Sequence, residues 1–302
     1  MMMPMTDKAK KVILVTGGAG FIGSNLIERL VKEPQNDVYS LDNYFTGKES
    51  NHIPGATYIK GHTKDIATLV TVIPDVVYHL GEYSRVAQSI EEPNVVWDLN
   101  MNGTASVLEF WRVHKFKLVY AGSSTKFSEV RTDGVEGKDL SPYTWIKSAN
   151  TDLVKNYGTW YNLPYAIVYF YNVFGPRELE GTYGTVIEIF KQKYIHGESL
   201  PVRLPGTQKR SYTHVDDTVD ALLLVAEKGE GDGFGISSPR SYSIMEVAEL
   251  FKTEIAMLPA RSTSRPSSGV DTTKMESLGW KATRTLEDYI NAFLASNPAA
   301  TK

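Results

Sequence analysis

The apolar positions of this 302-residue chain follow two alternating rhythms. Short, uninterrupted apolar runs occur at Lys11–Thr16 (KVILVT), 38–41, 56–59, 76–80, Lys117–Ala121 and Tyr165–Phe170. Runs of that length without polar interruption predict strands buried on both faces, as in parallel sheets. Between them the apolar residues change to helical spacing. Over 21–31, Phe21, Ile22, Leu26, Ile27, Leu30 and Val31 share one face, and Pro34 ends the pattern. Longer helical patterns cover 95–114 and Pro142–Tyr161. Strand and helix repeating in this way predict an α/β fold built on a doubly wound parallel sheet.

After about Tyr171 the rhythm breaks. Loops rich in Gly, Pro and Thr at 174–184 and 204–209 separate helical patterns at 186–196, Val215–Lys228 and 244–258. Residues 1–170 are therefore expected to form the main domain. Residues 171–302 should form a smaller C-terminal lobe, with some segments returning to the main sheet.

Composition removes several function classes. With 32 Lys and Arg against 35 Asp and Glu the formal charge is −3, so no basic field suggests a nucleic-acid polymer or an anionic membrane as partner. The absence of cysteine excludes disulfides, thiolate nucleophiles and cysteine metal sites, and it fits a reducing compartment. Residues 1–11 are polar, carry three lysines and have no apolar core of signal length, and no later stretch approaches membrane-spanning length. A cytoplasmic protein is expected, and no metal site.

The chemistry sits in two local signatures. Gly17, Gly18, Gly20 and Gly23 satisfy both the G-x-G-x-x-G and the G-x-x-G-x-x-G spacing, directly after a strand and before the helix that Phe21 and Ile22 begin. Such glycines permit a tight turn and close approach of backbone to a pyrophosphate, which the helix N-terminus then attracts. The plainer alternative is an ordinary strand-to-helix turn. Asp42 ends the second strand about 20 residues beyond, where a carboxylate accepts hydrogen bonds from ribose hydroxyls and repels a 2′-phosphate. Asn43 and Tyr44 follow without an arginine, so NAD is expected over NADP. Asp42 as a simple turn cap is the alternative.

The second signature is Ser141-Pro142-Tyr143, which opens a helix and places Tyr143 and Lys147 at i, i+4 on one face. A lysine cation beside a phenol favours the phenolate, which makes a proton carrier. Such a pair is common by chance on amphipathic helices. The hydroxyls of Ser123 and Ser124, at the end of the strand through Ala121, are expected to open on the same sheet edge and make it specific.

With these residues the chain resembles the extended short-chain dehydrogenase/reductase family, and within it the nucleotide-sugar epimerases and dehydratases of Rossmann-type fold. The landmarks run from Thr16-Gly-Gly-Ala-Gly-Phe-Ile-Gly23 through Leu41-Asp-Asn-Tyr44, His79-Leu80, Ser89, Asn100, Gly103-Thr104, Ser123-Ser124, Ser141-Pro-Tyr143 and Lys147. They continue with Tyr171-Asn-Val-Phe-Gly-Pro-Arg177, Gln208-Lys-Arg210, His214-Val-Asp-Asp217, Arg265-Pro266 and Leu278-Gly-Trp280. The resemblance implies that Ser123 hydrogen-bonds the reacting sugar hydroxyl, that Tyr143 moves its proton, and that Lys147 holds the nicotinamide ribose and biases Tyr143 toward phenolate. It implies NAD contacts from Gly17, Gly20, Phe21, Ile22, Gly23, Asp42, Asn43 and Leu80 as well. Asn172, Arg210 and Arg265 would grip a nucleotide diphosphate, which suits guanidinium geometry; surface arginines and a structural turn amide are the alternatives. Ser84, Ser124 and Ser268 would face the sugar.

Within that family, 4,6-dehydratases carry Thr-Asp-Glu where this chain has Ser123-Ser124-Thr125, so the resemblance implies a 4-epimerase of the UDP-glucose or UDP-GlcNAc type. A nucleotide-sugar reductase, dehydrogenase or dehydratase, and a non-catalytic dinucleotide sensor, remain as alternatives. Some residues depart from the family pattern. Tyr169 replaces an arginine, His62 replaces an adenine-binding aspartate, and Lys126, beside the serines, is unusual and has no assigned role. Glu82 and Arg85 stand where small neutral residues are usual, and either select an unusual sugar substituent or pair with each other at the rim. The 265–271 segment is shorter than in many relatives, leaving Ser268 where a bulky residue can block a C2 N-acetyl group. Relatives pair the helices corresponding to 95–114 and Pro142–Tyr161 across a two-fold axis. A homodimer is therefore implied, with burial of Phe110, Trp111, Leu153, Trp160 and Tyr161 inside one subunit as the alternative.

Overall fold

The computed structural model describes residues 10–123, 141–260 and 271–298. Its centre is a seven-stranded parallel sheet. Strands β1 (Lys11–Thr16), β2 (Asn36–Asp42), β3 (Ala56–Lys60), β4 (Val76–His79), β5 (Lys117–Ala121) and β6 (Tyr165–Phe170) are joined by an edge strand, Gly231–Ile236. The spatial order is Gly231–Ile236, β6, β5, β4, β1, β2, β3. Because β1 lies between β2 and β4, with Ile13 opposite both Val38 and Val76, the winding direction reverses there. Segments leaving the C-terminal ends of β1 and β4 diverge at such a reversal and leave a crevice.

Alternation along the strands supplies two core layers. Ile13, Val15, Val76, Tyr78 and Val119 point to one face and pack against Leu26 and Ile27 of the Phe21–Leu30 helix and Val219 and Leu222 of the Val215–Lys228 helix. Leu14, Val77, Leu118 and Tyr120 point to the other, against Leu108 and Trp111 of the Gly103–His114 helix and Val154 of the Pro142–Tyr161 helix. The strands read as continuous apolar runs because neither face meets water. A third cluster, which includes Phe174, Phe190, Leu200, Val202, Val247, Phe251 and Ile290, holds the C-terminal part together. No helix among the described residues is long and apolar enough to cross a membrane.

Two expectations change. The helical pattern over 244–258 is a helix only over Ile244–Leu250, capped by Ser243 and Glu246. Lys252 then turns left-handed (φ 54°), and Ile255–Leu258 becomes a strand parallel to Leu200–Arg203, with Ile255 opposite Leu200. Its partner lies far back in the chain, so the apolar spacing alone reads as more helix. The pattern over 95–114 is helical but not uniform: a π-helical turn, Trp97–Asn102, separates Pro93–Val96 from Gly103–His114. Such insertions recur at functional sites, and this one carries the fully buried Asn100.

Candidate active site

The crevice is a cleft of about 400 Å³. Gly17, Gly20, Phe21, Ile22, Gly23, Asp42 and Asn43 line it from the β1–β2 side, Leu80 to Val86 from the loop after β4, and Ser123, Tyr143, Lys147 and Asn172 from the far side. The glycines are dictated by contact. A Cβ on Gly17, whose φ is 73°, would lie 2.8 Å from the Gly81 Cα, and one on Gly23 would lie 2.2 Å from the Gly17 carbonyl oxygen. No side chain caps the N-terminus of the Phe21–Leu30 helix, so its N–H groups remain for an anion.

Asp42 is 6% exposed. Its Oδ2 accepts from the Ala19 N–H at 2.9 Å and its Oδ1 from the Tyr44 N–H at 2.8 Å. Burial raises its pKa against these two bonds. Each carboxylate oxygen accepts more than one donor, so capacity for ribose hydroxyls remains. The glycine turn, the uncapped helix and this carboxylate together fit a dinucleotide.

At the other end, the Pro142–Tyr161 helix starts in a reciprocal capping box between Ser141 and Thr144, which fixes Tyr143 in its first turn. The Tyr143 hydroxyl donates to Ser123 Oγ at 3.3 Å, and its backbone N–H reaches Ser89 Oγ at 3.4 Å. Lys147 has its three ammonium hydrogens matched by three protein acceptors: a Glu82 carboxylate oxygen, the Tyr120 hydroxyl at 2.9 Å and the Ala121 carbonyl. The Glu82 and Lys147 side chains are 5% and 3% exposed. Burial is the largest influence on the Glu82 carboxylate and works against it, but Lys147, His79 and Asn150 together hold its pKa below the ordinary value; burial likewise lowers that of Lys147, against the pull of Glu82.

Glu82 is the hub of a directed network. Its Oε1 accepts from Thr104 and Asn150 at 2.9 Å and from Tyr120 at 3.2 Å. Because the Thr104 hydroxyl donates to Glu82, it must accept from His79 Nε2, 3.0 Å away. Donor and acceptor logic then assigns His79 the Nε2–H tautomer, with Nδ1 accepting from Thr16 Oγ1 at 2.7 Å and Thr16 accepting from the Gly81 N–H at 3.1 Å. Burial lowers the His79 pKa to about 4, so the ring stays neutral. The loop itself is pinned by Asn100, whose amide accepts from the Tyr83 N–H at 2.6 Å and donates to its carbonyl at 2.9 Å.

Glu82 and Arg85 do not pair with each other. Glu82 turns inward to Lys147, whereas Arg85 is held by the Tyr183 carbonyl and by Ser84. Asn172 lines the cleft in a left-handed conformation (φ 37°) and donates to the Ser211 carbonyl at 3.1 Å. Arg210 is on the short Lys209–Ser211 strand, reaches back to the Lys209 carbonyl at 2.9 Å and does not line the cleft. His62 caps the turn at Lys64 and faces Asp98 at 3.2 Å; Tyr169 is buried and donates to Asp232 at 2.6 Å. Ser124, Thr125, Lys126, Arg265 and Ser268 lie outside the described residues. The sequence marked Glu82 as unusual. Its partnership with Lys147, Thr104 and Asn150 has no local signature.

The model of the NAD dependent epimerase/dehydratase family matches residues 13–237, and the chain belongs to that family. A candidate UDP-glucose 4-epimerase of Methanocaldococcus jannaschii is 32% identical over 294 residues, which cover 92% of this chain and 96% of that protein. The UDP-N-acetyl-alpha-D-glucosaminuronate decarboxylase of Bacillus cytotoxicus is 33% identical over 259 residues, 80% of this chain and 79% of its own. Among solved structures, the UDP-glucose 4-epimerase of Thermotoga maritima with UDP-glucose superposes with a TM-score of 0.87 at 27% identity, covering 94% of this chain and 97% of that one. The protein is thus similar to enzymes whose names specify UDP-sugars but different reactions.

Proposed function

We propose that this protein is an NAD-dependent 4-epimerase of nucleotide sugars. The observation that carries the reading is the Tyr143–Ser123 hydroxyl pair, placed in the same cleft as a seat that fits NAD. When bound, the cofactor supplies a hydride acceptor and donor. Tyr143 takes the proton of the sugar C4 hydroxyl as that carbon is oxidised and returns it after the sugar has turned over. Ser123 holds the same oxygen. Asn172, with Arg210 and Arg265, anchors the nucleotide diphosphate while the ring reorients, and Ser84, Ser124 and Ser268 face the sugar. Residues 171–302 supply most of this substrate side and residues 1–170 the cofactor side. For Arg210 this requires the Lys209–Ser211 strand to approach the ligand.

Lys147 needs one of its three acceptors to yield before it can hold the nicotinamide ribose. That observation favours a second reading, a net oxidoreductase acting on the same sugars and exchanging its cofactor at each turnover. The absence of cysteine supports a cytoplasmic location. Exposed Trp97, Val113, Trp145, Trp160 and Tyr161 on the paired helices support a homodimer, whereas Phe110 and Trp111 are buried within the subunit. Tyr143→Phe tests the assignment. It removes one oxygen and should lower kcat by about 10²–10⁴-fold with NAD binding retained. A variant keeping more than about a tenth of wild-type kcat would exclude Tyr143 as the proton carrier.

A further inference from the structure

Four charged side chains line the cleft among the described residues: Asp42, Glu82, Arg85 and Lys147. Glu82 and Lys147 neutralise each other, and Asp42 stands at the end of β2. Among the described residues Arg85 is left without an anion and makes no ion pair; its Nε donates to the Tyr183 carbonyl at 2.8 Å, its Nη2 reaches the same oxygen, and its Nη1 donates to Ser84 O and Oγ at 3.2 Å. Two N–H groups thus converge on one carbonyl and fix the guanidinium plane. The second hydrogen of Nη2 has no acceptor among the described residues, and a guanidinium has five donors in a rigid fork suited to a carboxylate.

The place of this cation is set by its neighbours. Tyr83 and Val86, on either side of it in the chain, pack with Tyr143, Ile146 and Tyr183 in one apolar cluster, so Arg85 belongs to the reacting end. The pyrophosphate seat is elsewhere, at the glycine turn that abuts Gly81. Glu178 feels the guanidinium charge, but its carboxyl accepts from Thr185 instead.

Resting on the nucleotide-sugar reading above, we propose that Arg85 makes the sugar end of the cleft a carboxylate site, so that the preferred substrate is a nucleotide-linked uronic acid. The paired Glu82 no longer repels such a ligand, and the acid group supplies the missing anion. The contact also bears on the outcome. Oxidising C4 of a uronic acid gives a β-keto acid, which loses CO2 when the C5–carboxyl bonding pair moves toward the C4 carbonyl. The leaving CO2 is neutral, so a guanidinium that stabilises the carboxylate opposes that loss and favours a product that keeps its carboxyl group.

The test uses the full chain with added NAD and four probes: UDP-glucuronate, UDP-galacturonate, UDP-glucose and UDP-galactose. The acids should show kcat/KM at least about tenfold above the neutral sugars, with the carboxyl carbon retained in the product. Arg85→Met should lower the acid-to-neutral ratio about 10–100-fold, the range expected for losing a charged hydrogen-bonding partner. Arg85→Lys, which keeps the charge but not the fork, should give an intermediate ratio and serves if the Met variant fails to fold. Turnover of neutral sugars with rejection of the acids would overturn this inference alone, as would an equal loss on both classes in both variants. Turnover of none of the four would overturn the underlying reading with it.

Discussion

Replacing Glu82 by Gln should destabilise the protein by about 3–5 kcal/mol, because it strands one member of a buried ion pair. Both side chains are almost fully enclosed. The amide oxygen of Gln can still accept from Thr104, Tyr120 and Asn150, but its NH2 then faces the Lys147 ammonium. At about 2 °C per kcal/mol for a chain of this size, the midpoint of thermal unfolding should fall by roughly 6–10 °C. Removing both charges in Glu82→Gln/Lys147→Met should cost less than the sum of the single variants, by about 1–3 kcal/mol. The pH dependence has a definite sign. A stranded lysine has a folded pKa below its unfolded one, so its penalty is complete at low pH and is relieved as pH rises toward the usual lysine range. Urea melts followed by circular dichroism at neutral pH and at about pH 9.5 measure the two free energies and their pH dependence, and a thermal melt measures the midpoint. If the two substitutions add within about 0.5 kcal/mol, the pair is not coupled and the charge argument for Arg85 loses its premise.

Asp42→Ala should weaken NAD binding and narrow its advantage over NADP, measured by titration of the apo-protein; equal affinity for both cofactors in the wild type would contradict the ribose assignment. Glu178 is buried, with a pKa raised to about 7. The unfolded chain ionises it from about pH 4.5 whereas the native state resists until about pH 7, so Glu178→Gln should gain on the wild type by about 3 kcal/mol between pH 4.5 and 8. Parallel stability curves would exclude that burial effect. Trp145, 46% exposed and 5.5 Å from the Trp97 ring, should lie in the dimer contact; Trp145→Lys should yield monomers by light scattering, and a monomeric wild type would exclude the interface.

The local parts of the site were legible in the sequence. A strand, a glycine turn and a helix are contiguous, and Tyr143 and Lys147 are one helical turn apart, so spacing alone put them on common surfaces. Parallel winding then brought Asp42, Ser123 and the loop after β4 to one edge of the sheet. The Glu82–Lys147 pair joins residues 65 positions apart, and no periodicity encodes it. The Ile255–Leu258 strand escaped for the same reason, since its partner is Leu200–Arg203. Arg210 came from resemblance rather than from spacing, and its edge strand leaves it off the cleft wall.

Inversion at C4 is the step that makes this protein an epimerase. Purified protein should be incubated with NAD and, separately, each of the four UDP-sugars, and the products assigned by proton NMR. Conversion of a gluco to a galacto configuration, or the reverse, with no net accumulation of NADH is the expected result. Recovery of every sugar with its C4 configuration unchanged, or stoichiometric NADH with a 4-keto product, would contradict it.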